Sequence, residues 1–206
     1  RFVDGDETNN TVESMEESVN KDNVHGRFGG DIQGIINSLD HIAALGATAI
    51  WPTPLLEDNE AAWSYHGYAC SDYYHIDPRY GTNELYKEMV EKAHQKGIKF
   101  IMDMVPNHCG GTHWWMKDLP YHDWINQFDT FTNTHNVFSA NYDTNASEYD
   151  RLLSNRGWFD RPMPDMNLEN PDLLQYFKQW AIWWIEYAAP TVQIRSSAGA
   201  AKVPST

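Results

Sequence analysis

An amphipathic helix followed at once by a short apolar strand is the feature that most constrains the fold of this sequence. In residues 32–45, apolar side chains recur at steps of three and four, which places them on one face of a helix. Asp31 precedes this pattern as an N-cap, and Gly46 follows it as a C-terminal stop. Residues 47–51 are apolar and partly β-branched, so we expect a buried strand there.

The same order of elements occurs a second time. A helix is predicted from about Thr82 to Lys96, with Gly97 as its stop. Residues 98–105 then form a nearly continuous apolar run, which is typical of a strand covered on both faces. Two successive helix-then-strand units predict an α/β fold with parallel strands.

Beyond residue 105 this rhythm is interrupted. Residues 106–162 are rich in His, Asn, Asp and Trp, show no sustained period, and are too many for an ordinary loop. We therefore expect a small inserted domain in this region. Asn170 as N-cap and Pro171 at the first helical position then start another helix, which runs to about Tyr187.

The charge balance limits the classes of partner. The 15 basic and 29 acidic side chains give a formal net charge of −14, which repels phosphate backbones and anionic membrane surfaces. We expect no nucleic acid partner and no membrane insertion, since no apolar run reaches the roughly 18 residues of a spanning helix. The two cysteines, Cys70 and Cys109, leave both free thiols and a single bridge open.

A glycine-rich stretch at residues 26–30 raises the alternative of a nucleotide site. Such stretches cradle phosphate when they precede a helix. Here Asp31 occupies the predicted helix N-terminus, where its charge repels an anion, and no GK[ST] motif follows. A nucleotide-binding α/β protein is therefore disfavoured.

Polar residues gather where the second predicted strand ends. Asp103 lies near the end of the apolar run, and Asn107 and His108 follow it. In a barrel of parallel strands, the carboxyl-terminal edge is where active sites are built. Two interpretations are open from these residues alone: a functional site, or an aspartate that caps a neighbouring backbone beside a loop histidine.

Five segments, in order along the chain, resemble motifs of the α-amylase family of glycoside hydrolases, in its neopullulanase and cyclomaltodextrinase branch. The segment Asp103–His108 resembles the family's DxVxNH motif, and Tyr65–Tyr68 resembles its YHGY motif. The other three are Arg1–Asp6, Gly29–Ile35 and Met163–Asn167, which resemble the RFxNGD, GGDLxGI and LPDLN motifs.

The resemblance implies an incomplete (β/α)8 TIM barrel that contains the first three β/α units. Residues 1–105 would start the barrel, and residues 106–162 would form a small inserted domain after the third strand. Residues 163–190 would return to the barrel with the third helix, and residues 191–206 would form an atypical tail.

The resemblance also implies a partner and substrate-binding residues. The ligand would be an α-glucan oligosaccharide or polysaccharide. Tyr68 would stack on the sugar at the cleavage subsite, and His108 would hydrogen-bond the same sugar. Asp103 would orient neighbouring site residues, and His66 would lie beside it.

Two further positions match the pattern of many α-amylases, and a third, Ala69, departs from it. Asn107 and Asp165 match calcium-binding positions that are metal-free in the neopullulanase branch, so we expect structural roles for both. Ala69 stands where a Trp often follows the stacking Tyr, so the outer sugar subsites are expected to differ.

Oxygen-bearing side chains crowd the start of the chain. Such donors suit Ca²⁺, which takes six to eight oxygens at about 2.3–2.6 Å, although a solvated acidic turn is the alternative. The resemblance matches this segment to the N-terminal calcium site of neopullulanase-type enzymes, so Ca²⁺ is the expected cofactor. The expected ligands are Asp4, Asp6, Asn9, Asn10, Gly29 and Asp31. An Asp is frequent at position 10, so Asn10 is expected to weaken binding.

The catalytic carboxylates of the family are not expected in this chain. Retaining hydrolysis needs two carboxylates about 5–5.5 Å apart. In the family, the nucleophile Asp lies in a GxRxD segment on the fourth strand and the acid/base Glu on the fifth. The fourth strand is expected just after Ala188, yet residues 191–206 contain no GxRxD, which indicates a truncation or a frame shift, with a natural terminus as the alternative. We therefore expect this chain alone to be inactive and, with an open barrel edge, marginally stable.

We expect this chain to be part of a retaining hydrolase that cleaves α-1,4 glucosidic bonds. Cleavage of α-1,6 bonds as well is left open. A non-catalytic α-glucan-binding fragment or a decayed homologue is the alternative. The full-length parent is compatible with a homodimer, and a periplasmic or extracellular location is slightly favoured over the cytoplasm.

Overall fold

The computed structural model describes residues 2–134, 138–188 and 193–195. Its main sheet is parallel and has the strand order β1 (Ala49–Ile50), β4 (Lys99–Asp103), β5 (Gln193–Arg195). Ala49 pairs with Lys99 at one side of β4, and Asp103 pairs with Arg195 at the other. The predicted α/β fold with parallel strands is thereby confirmed for the described residues.

The first predicted helix is divided into two short helices, α1 (Ile32–Asn37) and α2 (Leu39–Ala44). Asp31 caps α1 as predicted, because its carboxylate accepts the N–H of Gly34. The break falls at Ser38, whose N–H donates to the carbonyl of Ile35 and so tightens the helix to an i→i−3 turn. Gly46 follows α2 with a φ of +77°, the left-handed conformation expected of a C-terminal stop.

The second predicted helix is confirmed as α3 (Asn83–Gln95). The hydroxyl of Thr82 accepts the N–H of Leu85 and caps the helix, and Gly97 has a φ of +73° beyond its end. The apolar face of α3 packs on β4, so this helix covers the sheet at the strand that carries Asp103.

The segment between β1 and α3 contains a two-stranded antiparallel sheet. Its strands are β2 (Leu56–Glu57) and β3 (Asp72–Ile76), and the register shifts between the two residues of β2. Each strand is short and interrupted by polar residues, which hides the period-2 alternation from sequence inspection.

The long segment before the last helix is mostly irregular. It contains helix α4 (Glu148–Arg156) and two 3₁₀ turns, Trp114–Met116 and Phe138–Asn141. Trp115 and Trp124 are buried in the main hydrophobic core, so this segment packs continuously against the sheet region.

The last long helix, α5 (Pro171–Ala188), starts where the sequence predicts. The Asn170 side chain accepts the N–H of Leu173 and caps it. Trp184 Nε1 donates to the carbonyl of Tyr73 at 2.9 Å, and Trp180 Nε1 donates to the same oxygen. These two bonds fix α5 against β3, as expected for tryptophans that pack the core.

The strand β5 lies where the fourth barrel strand is expected, although its sequence is not GxRxD. The rest of the predicted tail, residues 191–192 and 196–206, lies outside the described residues. Among the described helices, none is both long enough and apolar enough to cross a membrane.

Candidate functional site

The carboxyl-terminal end of β4 gathers side chains from two neighbouring strands and from the turn Tyr65–Tyr68. Asp103, the last residue of β4, is buried. Its Oδ2 accepts hydrogen bonds from Trp51 Nε1 at 3.3 Å and from the Tyr68 hydroxyl at 3.4 Å. Trp51 directly follows β1, so both strands contribute to the same edge of the sheet. Asp103 thereby holds the Tyr68 ring at this edge.

His108 is buried beside Tyr68 and holds its main chain. The Nε2 of His108 lies 3.0 Å from the carbonyl oxygen of Tyr68, and its Nδ1 lies 3.1 Å from Asn107 Nδ2. Since a carbonyl only accepts, Nε2 is the nitrogen that donates to Tyr68. The resemblance implies a hydrogen bond from His108 to a sugar. In this structure both ring nitrogens contact protein atoms, His108 positions Tyr68, and the contact with a sugar stays a prediction.

His66 lies against Tyr68, and its expected place beside Asp103 stays a prediction. The two rings are 5.8 Å apart, and the Nδ1 of His66 accepts the Tyr68 N–H at 2.9 Å. Burial, followed by the nearby positive charge of Arg27, lowers the pKa of His66. His66 is therefore a neutral acceptor near pH 7 that fixes the backbone of the turn.

The turn itself depends on an unusual backbone. Residues Ser64–His66 form a 3₁₀ turn, and Gly67 follows with a φ of +75°. A Cβ at Gly67 would lie 2.3 Å from the carbonyl oxygen of Pro54, so only glycine fits this close approach.

A buried network of charged side chains supports this turn. Arg27 donates from Nε to Ser64 Oγ at 2.9 Å and from Nη2 to Asp77 Oδ2 at 2.8 Å. Arg79 donates to the same Asp77 oxygen at 2.7 Å. All four side chains are buried. Removing one member of such a network leaves an uncompensated charge, at a cost of about 3–5 kcal/mol.

Asp58 joins this network to the Tyr68 segment. Its Oδ2 accepts the N–H of Ala69 at 3.1 Å and lies 3.6 Å from His66 Nδ1. Burial raises the pKa of Asp58 to about 7, and hydrogen bonds from the N–H groups of Glu60 and Ala69 act in the opposite direction. The carboxyl is therefore poised between its neutral and charged forms near neutral pH.

Asn107 and Asp165 take part in backbone pairing at one side of the site, between the residues that follow β4 and those that precede α5. His108 and Asp165 form an antiparallel bridge, and Met166 N donates to the carbonyl of Asn107 at 2.9 Å. Asp165 is buried, and its Oδ2 accepts Asn126 Nδ2 at 2.8 Å. These contacts are compatible with the structural roles expected for the two residues, which stay a prediction.

The loop at the start of the chain contains three buried oxygens without a hydrogen-bond partner. They are the Oδ1 atoms of Asp4, Asn9 and Asn10. Gly29 lies directly beside them, since a Cβ there would be 2.3 Å from Asp4 Oδ2 and 2.8 Å from Asn10 Oδ1. Buried polar atoms almost always have a partner, so unpaired oxygens that converge on one loop fit a hard cation.

Asp31 organises the loop through both of its carboxylate oxygens. Its Oδ1 accepts the N–H groups of Gly5 and Gly34, at 3.0 and 2.6 Å. Its Oδ2 accepts the N–H of Asp6 at 2.9 Å and Asn9 Nδ2 at 3.1 Å. The place of Asp31 among the calcium ligands stays a prediction.

The Asp6 carboxylate is also used within the loop. Its Oδ1 accepts both the hydroxyl and the N–H of Thr8 and caps the 3₁₀ turn Glu7–Asn9. These bonds, led by the one from the hydroxyl, lower the pKa of Asp6. Within the described residues, no group of three or more His, Cys, Asp or Glu side chains could hold a metal ion, so a cation here would depend on amide oxygens.

Three contacts at this site are not apparent from the sequence. Trp51 reaches Asp103 across two strands, Phe159 stacks on His108 with rings 5.0 Å apart and 20° from parallel, and Asp58 supports the turn. For Trp51, the position before Pro52 at a strand end is a usable signal, whereas the other two depend on long-range packing.

The chain matches the family model described as the catalytic domain of α-amylase over residues 1–192. It is 33% identical to a cyclomaltodextrinase of Thermoanaerobacter pseudethanolicus over 193 residues, covering 90% of this chain and 30% of that protein. It is 31% identical to neopullulanase 2 of Thermoactinomyces vulgaris over 196 residues, again covering 90% of this chain and 30% of the relative. The chain thus spans about 30% of the length of these relatives.

Solved structures agree with these sequence matches. An α-amylase from Geobacillus thermoleovorans, crystallised with acarbose, superposes with a TM-score of 0.69 at 31% identity, covering 90% of this chain and 38% of that one. A cyclic α-maltosyl-(1→6)-maltose hydrolase from Arthrobacter globiformis superposes with a TM-score of 0.64 at 28% identity, covering 95% and 42%. Together with the family match, these findings show that the chain belongs to the α-amylase family of glycoside hydrolases and is similar to its cyclomaltodextrinase, maltogenic amylase and neopullulanase members.

Proposed function

We propose that this chain supplies part of the substrate site of a retaining α-glucan hydrolase that acts on α-1,4 bonds of starch-derived oligosaccharides. A more specific form of this proposal includes the cleavage of α-1,6 bonds. The observation that carries it is the Tyr68 ring, which is held at the carboxyl-terminal edge of the sheet by Asp103 and His108. Family membership supports the α-glucan as ligand.

The arrangement of Tyr68 suits a sugar platform. A pyranose ring offers an apolar face that stacks on an aromatic ring. The hydroxyl of Tyr68 is anchored to Asp103, and its main chain is held at both the N–H and the carbonyl. A ring that is already fixed loses little conformational freedom when a ligand binds, so more of the contact energy appears as affinity.

We also propose that the parallel strands are the start of a (β/α)8 barrel and that residues 106–162 form its inserted domain. The 206-residue chain alone is proposed to be inactive. A retaining mechanism needs a nucleophile and an acid/base carboxylate about 5–5.5 Å apart. The family places the nucleophile in a GxRxD segment, and this sequence contains none.

The second candidate is an α-glucan-binding chain without hydrolytic activity. The specific observation in its favour is β5, Gln193–Arg195, which occupies the strand position beside β4 without the GxRxD sequence. A protein that retains Tyr68 and lacks a nucleophile would bind the glucan and leave it intact.

Calcium at the N-terminal loop is the third part of the proposal. The expected donors besides Asp31 are the side-chain oxygens of Asp4, Asn9 and Asn10, with the carbonyls of Asp6 and Gly29 as further oxygens. The three unpaired buried oxygens support this assignment. Among these three side chains Asp4 alone carries a formal negative charge, which would give weaker binding than two aspartates.

The decisive experiment uses the protein expressed from its whole gene. Release of reducing ends is measured with maltoheptaose, β-cyclodextrin and pullulan, with cellohexaose as the β-linked control. Tyr68→Ala should lower kcat/KM for maltoheptaose about 100-fold, because the reacting sugar loses its alignment. The matched control Tyr142→Ala, which removes a highly exposed ring, should leave it unchanged.

Two results would count against the proposal. Turnover of cellohexaose at a rate similar to that of maltoheptaose would reject the α-glucan assignment. Binding of maltoheptaose without turnover by the whole-gene product would favour the second candidate. The 206-residue chain alone should show binding at most, and hydrolysis that survives purification would refute its inactivity.

A further inference from the structure

Trp63 is the only non-glycine residue with a positive φ among the residues that the structure describes. Its φ of 68° and ψ of 9° lie in the left-handed region. A bulky side chain enters this region rarely, because its Cβ crowds the backbone. Such conformations persist where the surrounding structure enforces them, and they cluster at functional sites. Trp63 is therefore a candidate for a functional side chain.

The strained backbone presents the Trp63 ring on the surface. The side chain is 51% exposed. The imidazole of His25 stacks beside it with ring centroids 4.1 Å apart and an angle of 16° between the planes. A near-parallel stack covers one face of the indole and leaves the other face available. Trp63, like Tyr68, thus presents a flat and partly exposed aromatic ring that protein contacts hold in place.

The turn does not need the Trp63 ring for its own stability. Ser64, the next residue, is buried, and its N–H and hydroxyl both donate to Glu17 Oε2, at 2.9 and 2.7 Å. Arg27 holds the other side of Ser64. Trp63 is absent from both described hydrophobic core clusters. A purely structural role for Trp63 therefore does not explain why its ring is held at the surface.

The position of Trp63 relative to Tyr68 indicates the class of ligand. Trp63 caps the 3₁₀ turn Ser64–His66 and precedes Tyr68 by five residues, so their Cα atoms are at most about 18 Å apart. Ala69, which directly follows Tyr68, is fully buried and carries no ring. Position 69 thus offers no second ring beside Tyr68, whereas Trp63 offers an exposed ring at the start of the same turn.

We propose that Trp63, supported by His25, is a second sugar platform that binds a glucose ring of an α-glucan beyond the ring held at Tyr68. This inference rests on the proposed function of the Tyr68 site. It predicts that Trp63 contributes to the binding of long oligosaccharides and contributes nothing to short ones that occupy the Tyr68 site alone.

The test uses Trp63→Gly in the protein expressed from its whole gene, with calorimetric titration of maltose and maltoheptaose. Glycine accepts a left-handed backbone, so W63G removes the ring and relieves the strain together. We expect the affinity for maltoheptaose to fall about tenfold, a typical value for one aromatic contact, while the affinity for maltose changes less than about twofold. The control Tyr142→Ala should change neither affinity.

Several outcomes would overturn the inference. Wild-type affinity of W63G for maltoheptaose would do so, and so would an equal loss for both sugars, which would place Trp63 at the primary site. If W63G melts below the wild type, Trp63→Phe is the second variant. It keeps a ring on the same backbone and should retain affinity within about threefold. A tenfold loss in W63F as well would reject the platform.

Tyr68→Ala separates this inference from the proposed function. If Y68A keeps full affinity for both sugars while W63G loses maltoheptaose, the Tyr68 assignment fails and the Trp63 platform stands. If Y68A loses both sugars and W63G loses neither, the proposed function stands and the platform fails.

Discussion

Removing divalent cations should lower the melting temperature of this protein through the loop that contains Asp4, Asn9 and Asn10. Their three Oδ1 atoms are buried and unpaired. Each unsatisfied buried polar atom costs about 1–3 kcal/mol. A cation that coordinates all three relieves this cost only while it is bound, so its binding free energy becomes folding free energy.

The magnitude follows from mass action. At a Ca²⁺ concentration about 100 times the dissociation constant, binding adds about 2.7 kcal/mol to the unfolding free energy. For a chain of 206 residues, 1 kcal/mol corresponds to roughly 2–4 °C in melting temperature. We therefore expect a chelator to lower the melting temperature by about 5–10 °C and added Ca²⁺ to restore it. Mg²⁺ should restore less, because it demands a smaller octahedral site.

Matched variants make the assay specific to this loop. Asn10→Asp adds a second formal charge beside Asp4, so it should tighten Ca²⁺ binding and enlarge the chelator effect. Asp4→Asn should abolish the effect. Asp22→Asn changes the same charge at an exposed position outside the loop and serves as the control. A melting temperature that is insensitive to chelator in the wild type and in N10D would refute the calcium assignment.

Two further predictions concern the turn that carries Tyr68. Burial raises the pKa of Asp58 to about 7, so the folded state favours its neutral form; the resulting stability is present below about pH 4 and is lost as the pH rises through about 7. As the pH rises from 5 to 8, the unfolding free energy of the wild type, measured with urea, should therefore fall by about 2–3 kcal/mol more than that of Asp58→Asn. Parallel pH profiles of the two proteins would contradict this. Gly67→Ala places a Cβ 2.3 Å from the Pro54 carbonyl oxygen in a left-handed backbone, so it should lower the unfolding free energy by more than about 1 kcal/mol and weaken maltoheptaose binding. Gly46→Ala, whose Cβ meets nothing within 4 Å, controls for the backbone conformation alone, and equal losses in both variants would show that the contact with Pro54 is unimportant.

The helices α3 and α5, the helical region of α1 and α2, and the strands β1 and β4 could be predicted from the sequence because their signals are local. Helix α4 could not, since residues 106–162 show no sustained period. The caps Asp31, Thr82 and Asn170 and the stops Gly46 and Gly97 act within a few residues of the helix ends that they mark. The antiparallel pair β2–β3 could not be predicted in this way, since its strands are short and its register is irregular.

The candidate site was only partly predictable for the same reason. Motifs place Tyr68, Asp103 and His108 at one sheet edge, but they do not show which atoms meet. The bond from His108 to the Tyr68 carbonyl, and three of the four bonds to the Asp31 carboxylate, join segments that are distant along the chain. A sequence pattern identifies a side chain that is able to bind a sugar or a metal, whereas its hydrogen-bond partners decide whether its oxygens or nitrogens remain available.

The assignment of the Tyr68 edge as the α-glucan site is tested most directly by a crystal structure of the whole-gene product with bound maltoheptaose. A glucose ring should lie flat on the Tyr68 ring, with Asp103 still bonded to the tyrosine hydroxyl. Density for the sugar on a surface remote from the end of β4, with the Tyr68 ring uncovered at saturating ligand, would contradict the assignment.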